Sequence, residues 1–139
     1  MDTMIYTSLR LKDIIKTRDN ENISVNGIEI RNYIFENTLS NEKKDNLRDY
    51  VFKNCTFINC VFNSIEISNL LFIDCKFVKS RCVNIKIHDT IFLDCKFKNC
   101  NFMQLELEKI NITLCNFKDN KFHKIKSQEN IYISTSNFK

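Results

Sequence analysis

The stretch 71–77 (LFIDCKF) returns twenty residues later as 91–97 (IFLDCKF), with five of its seven residues unchanged. Around these two stretches an apolar residue recurs at every fifth position. A second series, mostly apolar and often small, lies two residues before each member of the first. The central series consists of Phe52, Phe57, Phe62, Ile67, Phe72, Phe77, Cys82, Ile87, Phe92, Phe97, Phe102, Leu107, Ile112, Phe117 and Phe122.

This period of five excludes an amphipathic α-helix. A helix advances about 100° per residue, so side chains five apart would spread around its axis. Residues two apart do share one face of a β-strand, and one such pair fits into each repeat. The chain is therefore predicted to turn every five residues while both series keep facing inward.

A longer period of twenty shows how many sides each coil has. The small series places Cys55, Cys75, Cys95 and Cys115 twenty residues apart. Four five-residue sides thus form one coil, and like residues stack in columns about 4.8 Å apart. We expect an all-β parallel β-helix whose structural core consists of those four cysteines together with Phe52, Phe57, Phe62, Phe72, Phe77, Phe92, Phe97, Phe102, Phe117 and Phe122.

The pattern resembles that of the pentapeptide-repeat family, whose repeats carry a large apolar residue at the centre and a small one two positions earlier. Cys most often takes the small position here, where the family has Ala. The resemblance covers about residues 49–126 and implies a right-handed quadrilateral β-helix that acts as a binding surface. One branch of the family mimics DNA and binds topoisomerases, and others are secreted effectors or interaction scaffolds.

The rest of the chain is predicted to complete a single domain, 1–139. A shorter copy of the pattern, centred on Val25, Ile30 and Phe35, precedes the main run in a different phase. Open strand edges invite aggregation, so we expect both ends of the stack to be covered. The predicted divisions are an N-terminal cap (1–22, with a short helix over Leu9, Leu11, Ile14 and Ile15), a first partial coil (23–36), a loop (37–48), the main coils (49–126) and a C-terminal cap or dimer segment (127–139).

Composition limits the kinds of turn, membrane association and cellular location that fit this chain. The chain has no proline and one glycine, so its turns must use ordinary residues. No apolar run approaches the roughly 18 residues that a membrane helix needs, and no signal peptide is evident, so no membrane partner is expected. The seven cysteines are an odd number, which favours reduced thiols and a cytoplasmic location. Delivery into a host cell remains an open alternative.

The cysteines are predicted to pack in the core and the histidines to face solvent. Neither is predicted to take part in catalysis or metal binding. A line of stacked thiols does not offer the tetrahedral arrangement that zinc requires, so core packing is favoured over a metal or redox role. His88 is expected to face solvent, where it could pair with Glu108 in its column. We expect no catalytic residues, no metal and no cofactor, and an interior filled by Phe and Cys should leave no cavity for an enzyme's substrate.

Two outward surfaces are candidates for binding. On the side of Phe52 and Phe72, outward aliphatic residues should form an exposed apolar face, which marks either a protein interface or a surface covered by the N-terminal segment or the 38–46 loop. We favour a non-catalytic module that docks on another protein and inhibits or regulates it, such as a nucleic-acid-handling enzyme, with a homodimer as a further option. The predicted apolar face consists of Val51, Leu71, Ile73, Ile91 and Leu93.

The next side carries a predicted stripe of outward lysines. The chain has a net charge of +4, which permits an acidic partner but argues against simple DNA mimicry. A solvated surface is the default reading of the stripe, and direct nucleic-acid binding is the less favoured alternative, because no aromatic residues are interleaved for base stacking. The stripe consists of Lys76, Lys96, Lys98 and Lys118.

Overall fold

The computed structural model describes residues 4–6, 23–36, 47–128, 130–134 and 136–139. The regular elements in these segments are β-strands, which stack in parallel into a β-helix of about 4 turns. The predicted fold class, an all-β parallel quadrilateral β-helix, is confirmed. In the same segments there is no helix long and apolar enough to cross a lipid bilayer.

Most strands are three or four residues long, as one side of a five-residue repeat requires. The strands β12 and β14 are longer because pairing continues around their corners. The described strands are β1 (Met4–Tyr6), β2 (Ile23–Asn26), β3 (Ile28–Arg31), β4 (Ile34–Glu36), β5 (Leu47–Arg48), β6 (Tyr50–Lys53), β7 (Thr56–Ile58), β8 (Val61–Asn63), β9 (Glu66–Ser68), β10 (Leu71–Ile73), β11 (Lys76–Val78), β12 (Arg81–Leu93), β13 (Lys96–Lys98), β14 (Asn101–Thr113), β15 (Asn116–Lys118), β16 (Lys121–Ser127), β17 (Ile131–Ser134) and β18 (Asn137–Phe138).

Each corner of the coil is a single residue in the left-handed backbone region. The φ angle is positive at every fifth residue from Asn54 (φ 53°) to Lys124 (φ 57°), and Gly27 (φ 64°) adopts it in the first coil. Most corner residues are Asn or Asp, which tolerate this region best among residues with a side chain. The backbone N–H of Asn54 donates to the Ile73 oxygen of the next coil at 2.9 Å. Hydrogen bonds between coils thus hold turns that use almost no glycine.

The phenylalanines form the predicted ladders inside the tube. Phe77 stacks on Phe57 and on Phe97 with ring centroids 4.7 Å apart and planes 3° from parallel in both pairs. Such stacks bury large apolar areas in every coil. Two predicted core residues are less enclosed than expected: Phe92 is half-buried, and Phe122 is 50% exposed because no described coil lies above it.

On two of the four sides, the positions two residues before each centre form columns in which side-chain donors meet backbone carbonyls. The Sγ atom of Cys75 lies 3.2 Å from the Phe52 oxygen and 3.4 Å from the Ile73 oxygen. Ser80 fills the equivalent place on the next side, with its Oγ atom 3.2 Å from the Val78 oxygen. The position therefore suits a small side chain that can donate a hydrogen bond, which explains why Cys and Ser occur there.

The interior contains free space, and the prediction that it leaves no cavity is wrong. An apolar cavity of about 230 Å³ extends through the stack, lined mostly by Phe, Ile and Leu side chains from Phe62 to Phe138. The residues that line it include no acid, base or histidine that could serve catalysis.

The N-terminal segment stacks beneath the main coils. β1 pairs in parallel with β3, and the centres of β2, β3 and β4 lie below those of the next coil. In the predicted 37–48 loop, Leu47–Arg48 forms β5 and pairs with β9. The predicted helix over Leu9 to Ile15 and the rest of that loop lie outside the described residues. The stacked pairs are Val25 with Phe52, Ile30 with Phe57, and Phe35 with Phe62.

Candidate interaction surfaces

The predicted apolar face lies on one flat side of the β-helix. Strand register places Leu71 directly between Val51 below and Ile91 above, and it places Ile73 beneath Leu93. Adjacent parallel strands lie about 4.8 Å apart, so these side chains are nearest neighbours across the strands. The structure thus brings all five predicted residues together in two adjoining columns.

These side chains are only partly covered by the rest of the chain. Ile91 is 43% exposed, and Val51, Leu71, Ile73 and Leu93 are half-buried. The surface is therefore apolar and accessible along its upper part. The predicted alternative covers, residues 1–22 and 38–46, lie almost wholly outside the described residues, so the role of this apolar face remains a prediction.

The predicted lysine stripe occupies the neighbouring side. Lys76 pairs directly with Lys96, and Lys98 with Lys118, and all four side chains are exposed. None of the four has a carboxylate within 4.0 Å in the described part of the chain. Like charges directly opposite on adjacent strands repel each other. A bound anion would relieve this repulsion, so the geometry is compatible with an acidic ligand but does not require one.

His88 has a different partner from the predicted Glu108. Its Nε2 atom contacts the Glu66 carboxylate of the coil below, and its Nδ1 atom lies 2.9 Å from Oδ2 of Asp89. The hydrogen bond to Asp89, followed by the contact with Glu66, raises the pKa of His88. The same His88 contact lowers the pKa of Asp89. The cluster is a charge network on the surface of the β-helix.

Burial keeps two of the interior thiols, Cys60 and Cys100, in their neutral form. Burial raises the pKa of Cys60 to about 11 and also raises the pKa of Cys100. A thiol acts as nucleophile or metal ligand in its ionised form, so these two stay unreactive near neutral pH. Among the described residues, no three or more histidine, cysteine, aspartate or glutamate side chains are grouped to hold a metal ion.

The C-terminal end is a surface that sequence reasoning treated only as a cap or dimer segment. Phe122, Ile133 and Phe138 occupy the last described coil, and each is about half exposed. In the sequence, this end is distinguished by its positive charge, because residues 109–139 carry six lysines and two acidic residues. The end of the tube is therefore both apolar and basic.

Comparison with known proteins supports the fold. No protein-family model and no curated protein sequence matches the chain. The pentapeptide-repeat protein Rfr23 from the cyanobacterium Cyanothece 51142 superposes with a TM-score of 0.61 at 11% identity, over 90% of this chain and 99% of Rfr23. QnrB1, a plasmid-mediated fluoroquinolone resistance protein, is matched with a TM-score of 0.41 at 13% identity, over 84% of this chain and 69% of its own. The five-residue period, the stacked coils and the likeness to Rfr23 together show that this chain has the quadrilateral β-helix fold of the pentapeptide-repeat proteins.

Proposed function

We propose that the protein is a non-catalytic binding module that docks on another protein through its apolar face. The observation that carries this proposal is the register that stacks Leu71 between Val51 and Ile91, beside Ile73 and Leu93. Monomeric proteins seldom expose contiguous apolar patches, and such patches mark interfaces. Two aliphatic columns on a flat β-surface offer a partner a continuous apolar strip.

Docking would inhibit or regulate the bound protein by covering its surface. The lysine stripe lies on the adjacent side, so a partner with an apolar patch next to acidic residues fits both surfaces. An enzyme that handles nucleic acids is one candidate partner, and it would have to be bound outside its substrate groove, because that groove is basic and would repel the lysine stripe. A homodimer through the same apolar face, an interaction scaffold and a delivered effector would use the same residues.

A pair of charge substitutions tests the apolar face. Leu71→Glu combined with Ile91→Glu places two carboxylates at its centre and should abolish partner capture or change the oligomeric state. Val83→Glu combined with Met103→Glu is the matched control, because these outward residues are also stacked directly on each other. The proposal is wrong if the folded Leu71→Glu/Ile91→Glu protein keeps every partner and the oligomeric state of the wild type.

Direct nucleic-acid binding is the second candidate, and the directly stacked lysine pairs favour it. Phosphate binding releases counterions, so affinity should fall steeply as salt rises. Gel shifts of the wild type and of Lys96→Glu with Lys98→Glu over a salt series measure this dependence. A wild type that shifts no DNA or RNA at low salt excludes this candidate, as does a shift that the double substitution leaves unchanged.

A further inference from the structure

The C-terminal end of the β-helix has an open backbone edge. β16 and β17 pair only with β14, and β18 pairs only with β15, among the described residues. In lower coils the corner N–H donates upward, as the Ser64 N–H does to the Val83 oxygen at 3.1 Å. Lys124 holds the same corner in the last coil, where no described strand lies above it. The edge therefore presents strand donors and acceptors that a further strand could pair with.

The same end has inward side chains above which no residue of the described segments is stacked. Phe122 stacks on Phe102 at 5.0 Å, and Phe138 stacks on Phe117 at 4.3 Å, so each outermost ring has one face covered and one uncovered. Residues of this last coil also line the apolar cavity that runs down the tube. A side chain that covers these rings could therefore also reach into the cavity.

Charge is distributed unevenly along the stack and concentrates at this end. Residues 1–108 carry 15 basic and 15 acidic residues, so the net charge of +4 resides in residues 109–139. Lys121, Lys124, Lys126 and Lys139 belong to the last coil, and all four are exposed. These four residues, the lysine rim, thus flank an apolar centre and an open strand edge on three of the four sides.

We propose that this C-terminal end is a docking site for an acidic polypeptide segment that adds a strand to the last coil. Its backbone would pair with the open edge of β16, its apolar side chains would cover Phe122 and Phe138, and its carboxylates would face the lysine rim. Strand addition to an exposed sheet edge is a general mode of peptide recognition. The site is separate from the apolar face and does not depend on it.

Two other occupants fit this end less well. A second copy docked end to end would bring two lysine rims together, which costs electrostatic energy, because residues 121–128, 130–134 and 136–139 include no acidic side chain to pair with them. A lipid bilayer offers anionic headgroups for the lysines, but its hydrocarbon cannot pair with free backbone N–H and C=O groups, which are costly to bury unpaired. An acidic strand would neutralise the lysines, cover the apolar rings and pair with the open backbone edge.

Synthetic peptides test the proposal directly. The probe is a short fluorescent peptide that alternates glutamate with phenylalanine or isoleucine. It is compared with a lysine-for-glutamate version and with a version whose backbone nitrogens are methylated, which removes the N–H donors. We expect the wild type to bind the acidic probe in a salt-dependent manner, and to bind each of the other two at least tenfold more weakly.

Protein variants locate the site. The combination Lys121→Glu, Lys124→Glu and Lys126→Glu should weaken binding at least tenfold, and the glutamine versions of the same three should have a smaller effect. The matched control is Lys53→Glu, Lys76→Glu and Lys79→Glu, which changes net charge equally on lower coils and also includes one corner residue with positive φ. This control and the Leu71→Glu/Ile91→Glu protein should bind like the wild type, which separates this site from the apolar face.

Other results would overturn the proposal. It fails if the methylated peptide binds as well as the unmodified one, or if the lower-coil control weakens binding as much as the rim variants do. It also fails if the wild type ignores the acidic probe but binds vesicles of anionic phospholipid. Sedimentation showing that the wild type dimerises through this end at low salt would assign the end to a second copy instead.

Discussion

The thiol of Cys75 donates a hydrogen bond to the backbone oxygen of Phe52, 23 residues earlier in the chain, over a distance of 3.2 Å. This contact links two successive coils through a side chain inside the tube. Equivalent contacts join Cys95 to Phe72 at 3.4 Å and Cys115 to Phe92 at 3.3 Å. The cysteine column is therefore a row of small side chains, each a weak hydrogen-bond donor to the coil below. This arrangement predicts which substitutions of a cysteine the fold tolerates.

Cys75→Ser should be tolerated much better than Cys75→Leu. A serine hydroxyl fits the same acceptors, as Ser80 does on the neighbouring side. Leucine would remove the donor and overpack a column whose neighbours, Cys55 and Cys95, are fully buried, which costs about 1–3 kcal/mol or more. Urea unfolding measured as the midpoint concentration compares the two. Equal midpoints for the serine and leucine variants would contradict this account of the column.

Leu114 should be replaceable by asparagine with a gain in stability. Leu114 adopts φ 56° and is 49% exposed, so it has the strain of the left-handed region and little burial to offset it. Asparagine tolerates this conformation, and it would lie above Asp94 as Asn69 lies above Asp49, where the amide donates at 2.7 Å. We expect Leu114→Asn to raise the free energy of unfolding by about 1 kcal/mol.

Leu114→Ala is the control for that substitution. Alanine removes the exposed apolar side chain but keeps a Cβ atom in the left-handed region, so it should give little or no gain. Thermal and urea unfolding of the three proteins separate the two effects. If alanine stabilises the protein as much as asparagine does, the gain comes from removing the leucine side chain and not from the backbone.

His88 should titrate above its ordinary range in the folded protein. Its pKa is raised by the hydrogen bond to Asp89 and by Glu66, so the charged form is stabilised by folding. The resulting stability is fully present below the unfolded pKa of about 6.5. It is lost as the pH rises through the raised pKa of the folded state. Because the cluster is largely exposed, the effect on unfolding should be small.

NMR titration of the His88 ring measures this shift. Asp89→Asn combined with Glu66→Gln should lower the midpoint of His88 towards the ordinary value. Glu108→Gln is the matched control, because Glu108 lies in register with His88 on the coil above and is not its partner. A midpoint that moves with Glu108→Gln and stays fixed in the double variant would restore the pairing that the sequence alone suggests.

The repeat could be predicted from the sequence because every coil needs inward-facing apolar residues at the same positions. Phe57, Phe77 and Phe97 must face inward at the same place on successive coils, and their spacing of twenty fixes both the number of sides and the strand register. The two columns of the apolar face follow from that register. Such features depend on backbone periodicity, which a single sequence displays directly.

Other features depend on side-chain conformation or on space, which periodicity does not fix. Glu66 rather than Glu108 meets His88 because a diagonal contact across two strands is as accessible as the one within its column. The cavity could not be predicted because its volume depends on how closely the inward side chains of the different columns pack together. The exposure of Phe122 follows from the lack of a described coil above it, although its place in the repeat is the same as that of Phe102.

The position of a core phenylalanine along the stack should therefore decide how much it contributes to the free energy of unfolding. Phe77 is 6% exposed and lies between two parallel rings, so Phe77→Ala should cost about 3–5 kcal/mol, as for other buried aromatic residues. Phe122 has a neighbour on one side only and is 50% exposed. Phe122→Ala should therefore cost about 1–2 kcal/mol, because half of its apolar area is in water before the change. Urea unfolding compares the loss of free energy of unfolding at the two positions. Phe77→Leu is the milder substitution if Phe77→Ala does not fold. Equal costs at the two positions would mean that the end of the tube is covered in solution.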